Sequence, residues 1–184
     1  MLLLFIFALP ACSATASSDN EPPIAAVEIP VPAESDKSAL IALLRQAASR
    51  QGFHVDDGSM QWRDFARQAK DLPPEARKTI YAGVWNGEND DDLIAVVDDG
   101  EHNGRAWVIV YPGKRPTAAK RFWRDVYVSV SRRWPSTKAI PILPSGALPL
   151  FHDLTMTLTG YRVARSAAKE YELNVSSPQI ANDR

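Results

Sequence analysis

Oxygen-bearing side chains crowd Asn86-Gly87-Glu88-Asn89-Asp90-Asp91-Asp92, immediately ahead of an apolar run that starts at Leu93. Hard cations such as calcium take about six to eight oxygens, and a glycine-containing loop of this composition delivers several from nearby positions. Asn86, Glu88, Asn89, Asp90 and Asp92 are the candidate ligands. The same residues equally suit a solvated acidic turn that guards a strand against edge pairing. A second acidic loop, 98–103, lies beyond a strand of five residues, about 17 Å away, so the two cannot share an ion. His102 within it reads as an exposed loop histidine.

Catalytic groupings are sparse. His152-Asp153 is an adjacent base and carboxylate pair, and a serine such as Ser145 would complete a hydrolytic set. The sequence contains no Gly-x-Ser-x-Gly elbow, no glycine-rich phosphate loop and no His-Glu-x-x-His. Cations and rings are interleaved in Lys120-Arg121-Phe122-Trp123-Arg124 and Arg132-Arg133-Trp134. Arg and Trp are frequent anchors of protein interfaces, so Arg121, Trp123, Arg124, Arg133 and Trp134 are candidate partner-binding residues. Anionic lipid or glycan is an alternative contact, and an amphipathic core helix with a solvated basic face gives the same pattern.

The only cysteine, Cys12, follows the almost wholly apolar run 2–9 and the residues Leu9-Pro10-Ala11. A run this short suits the hydrophobic region of a secretory signal and falls short of the roughly 20 residues a spanning helix needs. Leu9-Pro10-Ala11-Cys12 resembles the lipobox of bacterial lipoproteins, and the resemblance implies that Cys12 is lipidated and becomes the mature N-terminus. Ser13 in place of Asp is similar to the pattern sent to the outer membrane, on the face toward the periplasm. The alternative is an ordinary signal cut near Ala14 or Ala16. The 86–93 stretch is similar to the calcium loop of FG-GAP repeats, which implies calcium as the ligand if a metal binds.

Helical periodicity must position these groups in the first half of the chain. Leu40, Leu43, Leu44 and Ala47 predict a helix over 36–51, capped by Ser35 or Asp36 and stopped by Gly52. Trp62, Phe65, Ala66 and Ala69 predict a second, and Pro74 opens a third that runs to Gly83. The continuous apolar runs 93–97 and 106–111 predict a hairpin covered on both faces. Over 117–134 both periods are present, and length favours a helix. A short strand at 140–143 and a hairpin over 154–163 follow, and 167–173 forms a last helical turn or two.

Twenty-one basic and twenty-two acidic side chains leave no excess of positive charge to drive phosphate binding, which argues against nucleic acid as a partner. With one cysteine no intrachain disulfide forms, so packing carries the fold. The expected organisation is a signal peptide (1–11), a lipidated cysteine with a proline-rich tether (12–35), one α+β domain (36–176) and a flexible tail (177–184). In that domain N-terminal helices pack on a small antiparallel sheet built around a hairpin. The expected function is that of an envelope lipoprotein that binds another envelope protein or a toxin, as an accessory, assembly or immunity module without a cofactor. The rival is a periplasmic hydrolase or a calcium-dependent binding module.

Overall fold

Six strands and two helices carry the architecture in a computed structural model that describes residues 21–57, 81–87, 92–98, 104–174 and 178–180. The helices expected between Ser59 and Ile80, and Cys12, Glu88, Asn89, Asp90 and His102, lie outside the described residues. In chain order the main elements are β1 (Ala25–Pro30), α1 (Glu34–Gln51), β2 (His54–Asp56), β3 (Tyr81–Trp85), β4 (Leu93–Asp98), β5 (Arg105–Val110), α2 (Pro116–Arg133) and β6 (Lys138–Ala139). A 3₁₀ turn (Phe151–Asp153) then leads into β7 (Leu154–Thr157) and β8 (Gly160–Val163). The large sheet has the order β2-β3-β4-β5-β1-β6, and β7-β8 form a small second sheet. All the strand pairs are antiparallel, which makes this a mixed α+β fold.

Alternation along the strands divides the side chains between two covering layers. Val27, Ile29, Val84, Val97, Val108 and Val110 face the helices, where they meet Leu40, Leu44, Phe122, Val126 and Val130 in the main core. Ala26, Trp107 and Ile109 face the other way, onto Ile140, Leu148, Phe151, Leu154 and Tyr161. The continuous apolar run of β5 is thus explained, because helices cover one face and the C-terminal segment the other. A satellite core of Leu143, Val163, Ala167, Ala168, Leu173 and Ile180 closes the far end of that second layer.

The two helices run antiparallel. Arg121 near the start of α2 donates through Nε to Gln51 Oε1 (3.2 Å) at the end of α1, and Trp134 Nε1 just past α2 donates to Asp36 Oδ1 (3.4 Å) at the start of α1. Gly52 ends α1 in the left-handed conformation (φ 71°), as its position after the last periodic residue predicts. No side chain caps the other end. Ala33 is the N-cap and α1 begins at Glu34, two residues ahead of the expected start, so neither Ser35 nor Asp36 caps it. For α2 the apolar period of four wins over the strand-like alternation of valines.

Five sequence expectations are corrected. Residues 25–30, assigned to the tether, form an interior strand that bonds β5 along its whole length and β6 at Val27 and Glu28. The prolines do not prevent this because Pro30 is the last residue of the strand and lies beyond the short reach of β6. Residues 81–83, given to a third helix, belong to β3. The strand expected at 140–143 sits instead at Lys138–Ala139, and 165–172 form successive turns rather than a helix. In the supposed flexible tail Ile180 is buried and bridges Val163.

Because Ile29 is fully buried between β5 and the helices, Ile29→Ala should cost about 2–5 kcal/mol in urea unfolding. An unchanged unfolding midpoint would mean that this segment is a tether after all.

Candidate functional site

The strand alternation that buries Val27 and Ile29 among the helices aims Glu28 at the opposite layer, where a carboxylate is 4 % exposed. Three donors answer it. Arg105 Nη1 donates to Oε1 at 2.7 Å, the Tyr161 hydroxyl donates to the same oxygen at 2.7 Å, and Trp107 Nε1 donates to Oε2 at 3.0 Å. Arg105 Nη1 also donates to the Tyr161 oxygen at 2.8 Å. Register explains the convergence, since Glu28 lies directly opposite Trp107 and Arg105 is two residues back on the same face of β5. Glu28 holds the Arg105 guanidinium above its usual range, and burial followed by the bond to Glu28 pushes the Tyr161 hydroxyl up to about 12. The cluster is hidden in the sequence because the prolines around Glu28 make it look like part of a spacer. The Val27-Glu28-Ile29 alternation was the available signal.

The acidic loop is used internally where it is described. Asp92 is buried, and its carboxylate accepts from the Lys114 backbone N–H (3.0 and 3.1 Å) and from Asn86 Nδ2 (2.7 Å). Asn86 Oδ1 accepts in turn from Arg115 Nη1 (3.1 Å), and the Asn86 N–H donates to the Asp92 carbonyl (2.9 Å). Gly113, with φ 55°, sits against this carboxylate so closely that a Cβ would collide with Oδ1. Asn86 and Asp92 therefore strap the start of β4 to the loop before α2. Among the described residues no group of three or more His, Cys, Asp and Glu comes together to hold a metal.

His152 and Asp153 face each other at 3.7 Å, too far for a hydrogen bond. Asp153 instead accepts from the Tyr171 hydroxyl at 2.6 Å, and Ser145 Oγ accepts from the Ala147 N–H within its own turn (3.4 Å). These bonds tie Asp153 and Ser145 to local structure and link neither to a nucleophile–base pair.

The Arg/Trp cluster divides between core and surface. Trp134 is buried in the main core, with Arg133 stacked over its ring at 5.0 Å, so Trp134 cannot anchor a partner. Trp123 is half-buried against the core and against Tyr127 (5.3 Å between centroids). Lys120, Arg121, Arg124, Tyr127, Val128 and Arg132 are exposed, and their spacing places them in one row along the outer side of α2. Asp125, half-buried and 3.9 Å from Arg50 and from Arg124, is the acid beside this row of four cations. Tyr127 and Val128, the exposed apolar members, were not among the residues singled out by sequence.

No protein-family model, curated protein or solved structure matches this chain.

Glu28→Ala leaves the Trp107 N–H and Tyr161 hydroxyl without their acceptor, so it should destabilise the fold by about 3 kcal/mol in urea titration. A raised tyrosine pKa means that the folded state holds the proton more tightly than the unfolded state, whose value is near 10. The stabilisation is therefore complete below pH about 10 and is lost as pH rises toward 12. Tyr161→Phe should be less stable than the parent at pH 8, with the gap closing between pH 10 and 12. A pH-independent gap would exclude the linkage.

Proposed function

We propose that this chain is an exported lipoprotein, anchored to the bacterial envelope through Cys12, that acts by binding another protein with the outer row of α2. The observation that carries the binding role is this row: Arg121, Arg124, Tyr127, Val128 and Arg132 are exposed together, while the inner side of the same helix supplies Phe122, Val126 and Val130 to the core. Arg and Tyr concentrate binding energy when a partner desolvates them, because one offers a rigid fork of donors and the other a large ring with a polar tip. Four cations beside one half-buried acid favour an acidic surface and speed its approach. A toxin held off by an immunity lipoprotein and a subunit of an envelope assembly both fit this chemistry.

The calcium reading asks more of the chain. Asn86 and Asp92 would have to release Lys114, Arg115 and each other before they could ligate an ion. Millimolar calcium is expected to leave the thermal transition unchanged, and a rise that Asp92→Asn abolishes would restore a metal role.

A photo-crosslinking residue at Arg124, introduced into the full chain in its native host, tests the docking face. It should trap an acidic envelope protein or toxin, whereas the same probe at exposed Glu170 should not. Arg124→Glu together with Tyr127→Ser should abolish capture with no change in melting temperature; equal capture from both positions would refute the assignment. Mass spectrometry of the native protein should find acyl chains on Cys12 at the mature N-terminus. An unmodified thiol behind an intact initiator methionine would remove the anchor.

A further inference from the structure

The β7–β8 hairpin carries apolar side chains that the fold leaves outside. Leu158, in its two-residue turn, is 99 % exposed, and Met156 on β7 is 53 % exposed. Convex tips of this kind bury little against a flat protein surface, yet a single protruding leucine can sink between lipid headgroups. The hydroxyls beside the turn are paired locally: Thr157 Oγ1 donates to the Gly160 carbonyl at 2.7 Å and lies 3.5 Å from Thr159 Oγ1. That pairing lowers the cost of taking the tip out of water.

Charge around the hairpin points the same way. Residues 154–163 contain no acid, and Arg162 lies across from Thr155 at the base. Lys138 precedes Ala139, which Gly160 approaches so closely that a Cβ would meet the Ala139 carbonyl at 2.9 Å. Arg162, half-buried, is the hairpin's own cation and donates through Nη1 to the Ile180 carbonyl (3.5 Å), while Lys138 lies opposite Glu28 on the neighbouring sheet.

Chain length supplies the third argument. With β1 inside the sheet, only eight residues, 13–20, separate Cys12 from Glu21, the first described residue. Fully extended, that connection spans at most about 32 Å. A domain of this size is about 40 Å across, so a lipid on Cys12 would keep its surface within touching range of the bilayer.

We propose that the β7–β8 hairpin is a second membrane contact, with Leu158 and Met156 inserted among acyl chains and Arg162 toward the phosphates of an anionic lipid surface. This rests on the lipid-anchor reading, and the test separates the two. The full-length lipidated protein, with Thr159→Cys labelled by an environment-sensitive fluorophore, is reconstituted in phosphatidylglycerol/phosphatidylethanolamine vesicles that contain spin-labelled quencher lipids. The probe should shift to the blue and lose at least half of its emission to the quencher, whereas the same label at Glu170→Cys should not. Leu158→Asp should return the Thr159 probe to its aqueous emission while the protein still floats with the vesicles. Failure to float would sink the anchor; flotation with an unquenched tip would sink the hairpin contact alone. A tip that is shielded only when envelope protein is added would assign it to a protein partner and overturn the membrane contact.

Discussion

A carboxylate on an interior strand, 4 % exposed, has to be met by donors from its own surroundings, and the way Glu28 is met organises this molecule. Two of its donors come from β5 and the third from β8, which is far along the chain. One side chain therefore ties the N-terminal strand to the central sheet and to the layer that covers it. Tyr161 could serve as an apolar lid alone, but its hydroxyl aimed at Glu28 also fixes the position of β8 over β1. Phe151, packed at about 6 Å against both Trp107 and Tyr161, fills the space beside the network with rings instead of water.

The helix side solves a different problem with different means. Phe53 meets Phe122 edge-on at 6.1 Å, and Arg115 lies over the Phe53 ring at 5.3 Å, which seals the end where α1 stops and α2 starts. At the other end Asp36, in the first turn of α1, faces Arg133 at 3.9 Å and accepts from the Trp134 indole. Each charge sits where its helix dipole favours it. The Asp92 strap then holds the strand entering the sheet against the loop entering α2, with a buried carboxylate satisfied by backbone and amide donors.

Period and composition made the helix–sheet half legible. Leu40, Leu44 and Ala47, then Phe122, Val126 and Val130, announce their helices, and the valine-rich runs of β4 and β5 announce a sheet covered on both faces. What stayed hidden depends on partners distant in sequence. β1 is six residues long, ends in proline and has no helical or long apolar pattern, so only its pairing with β5, some 80 residues later, makes it a strand. The same distance hid Glu28. Asp92 looked like a ligand because an acidic stretch shows the number of oxygens but not the backbone N–H groups that consume them. Trp134 looked like an anchor because periodicity cannot tell which side of the last helical turn faces the core.

Moving β1 from tether to sheet also changes how the protein would meet its surroundings. A long spacer would set the domain free of the membrane, and any face could then serve any partner. Were Cys12 the lipid anchor we propose, the eight residues between it and Glu21 would keep the domain close to the bilayer. The basic row of α2 and the apolar tip of β7–β8 belong to opposite covering layers of one sheet. If the tip rests on lipid, the α2 row points away from it, toward proteins in the compartment beyond. Cations turned away from an anionic bilayer are free to attract an acidic partner, and a layered domain can hold the two contacts apart without a hinge.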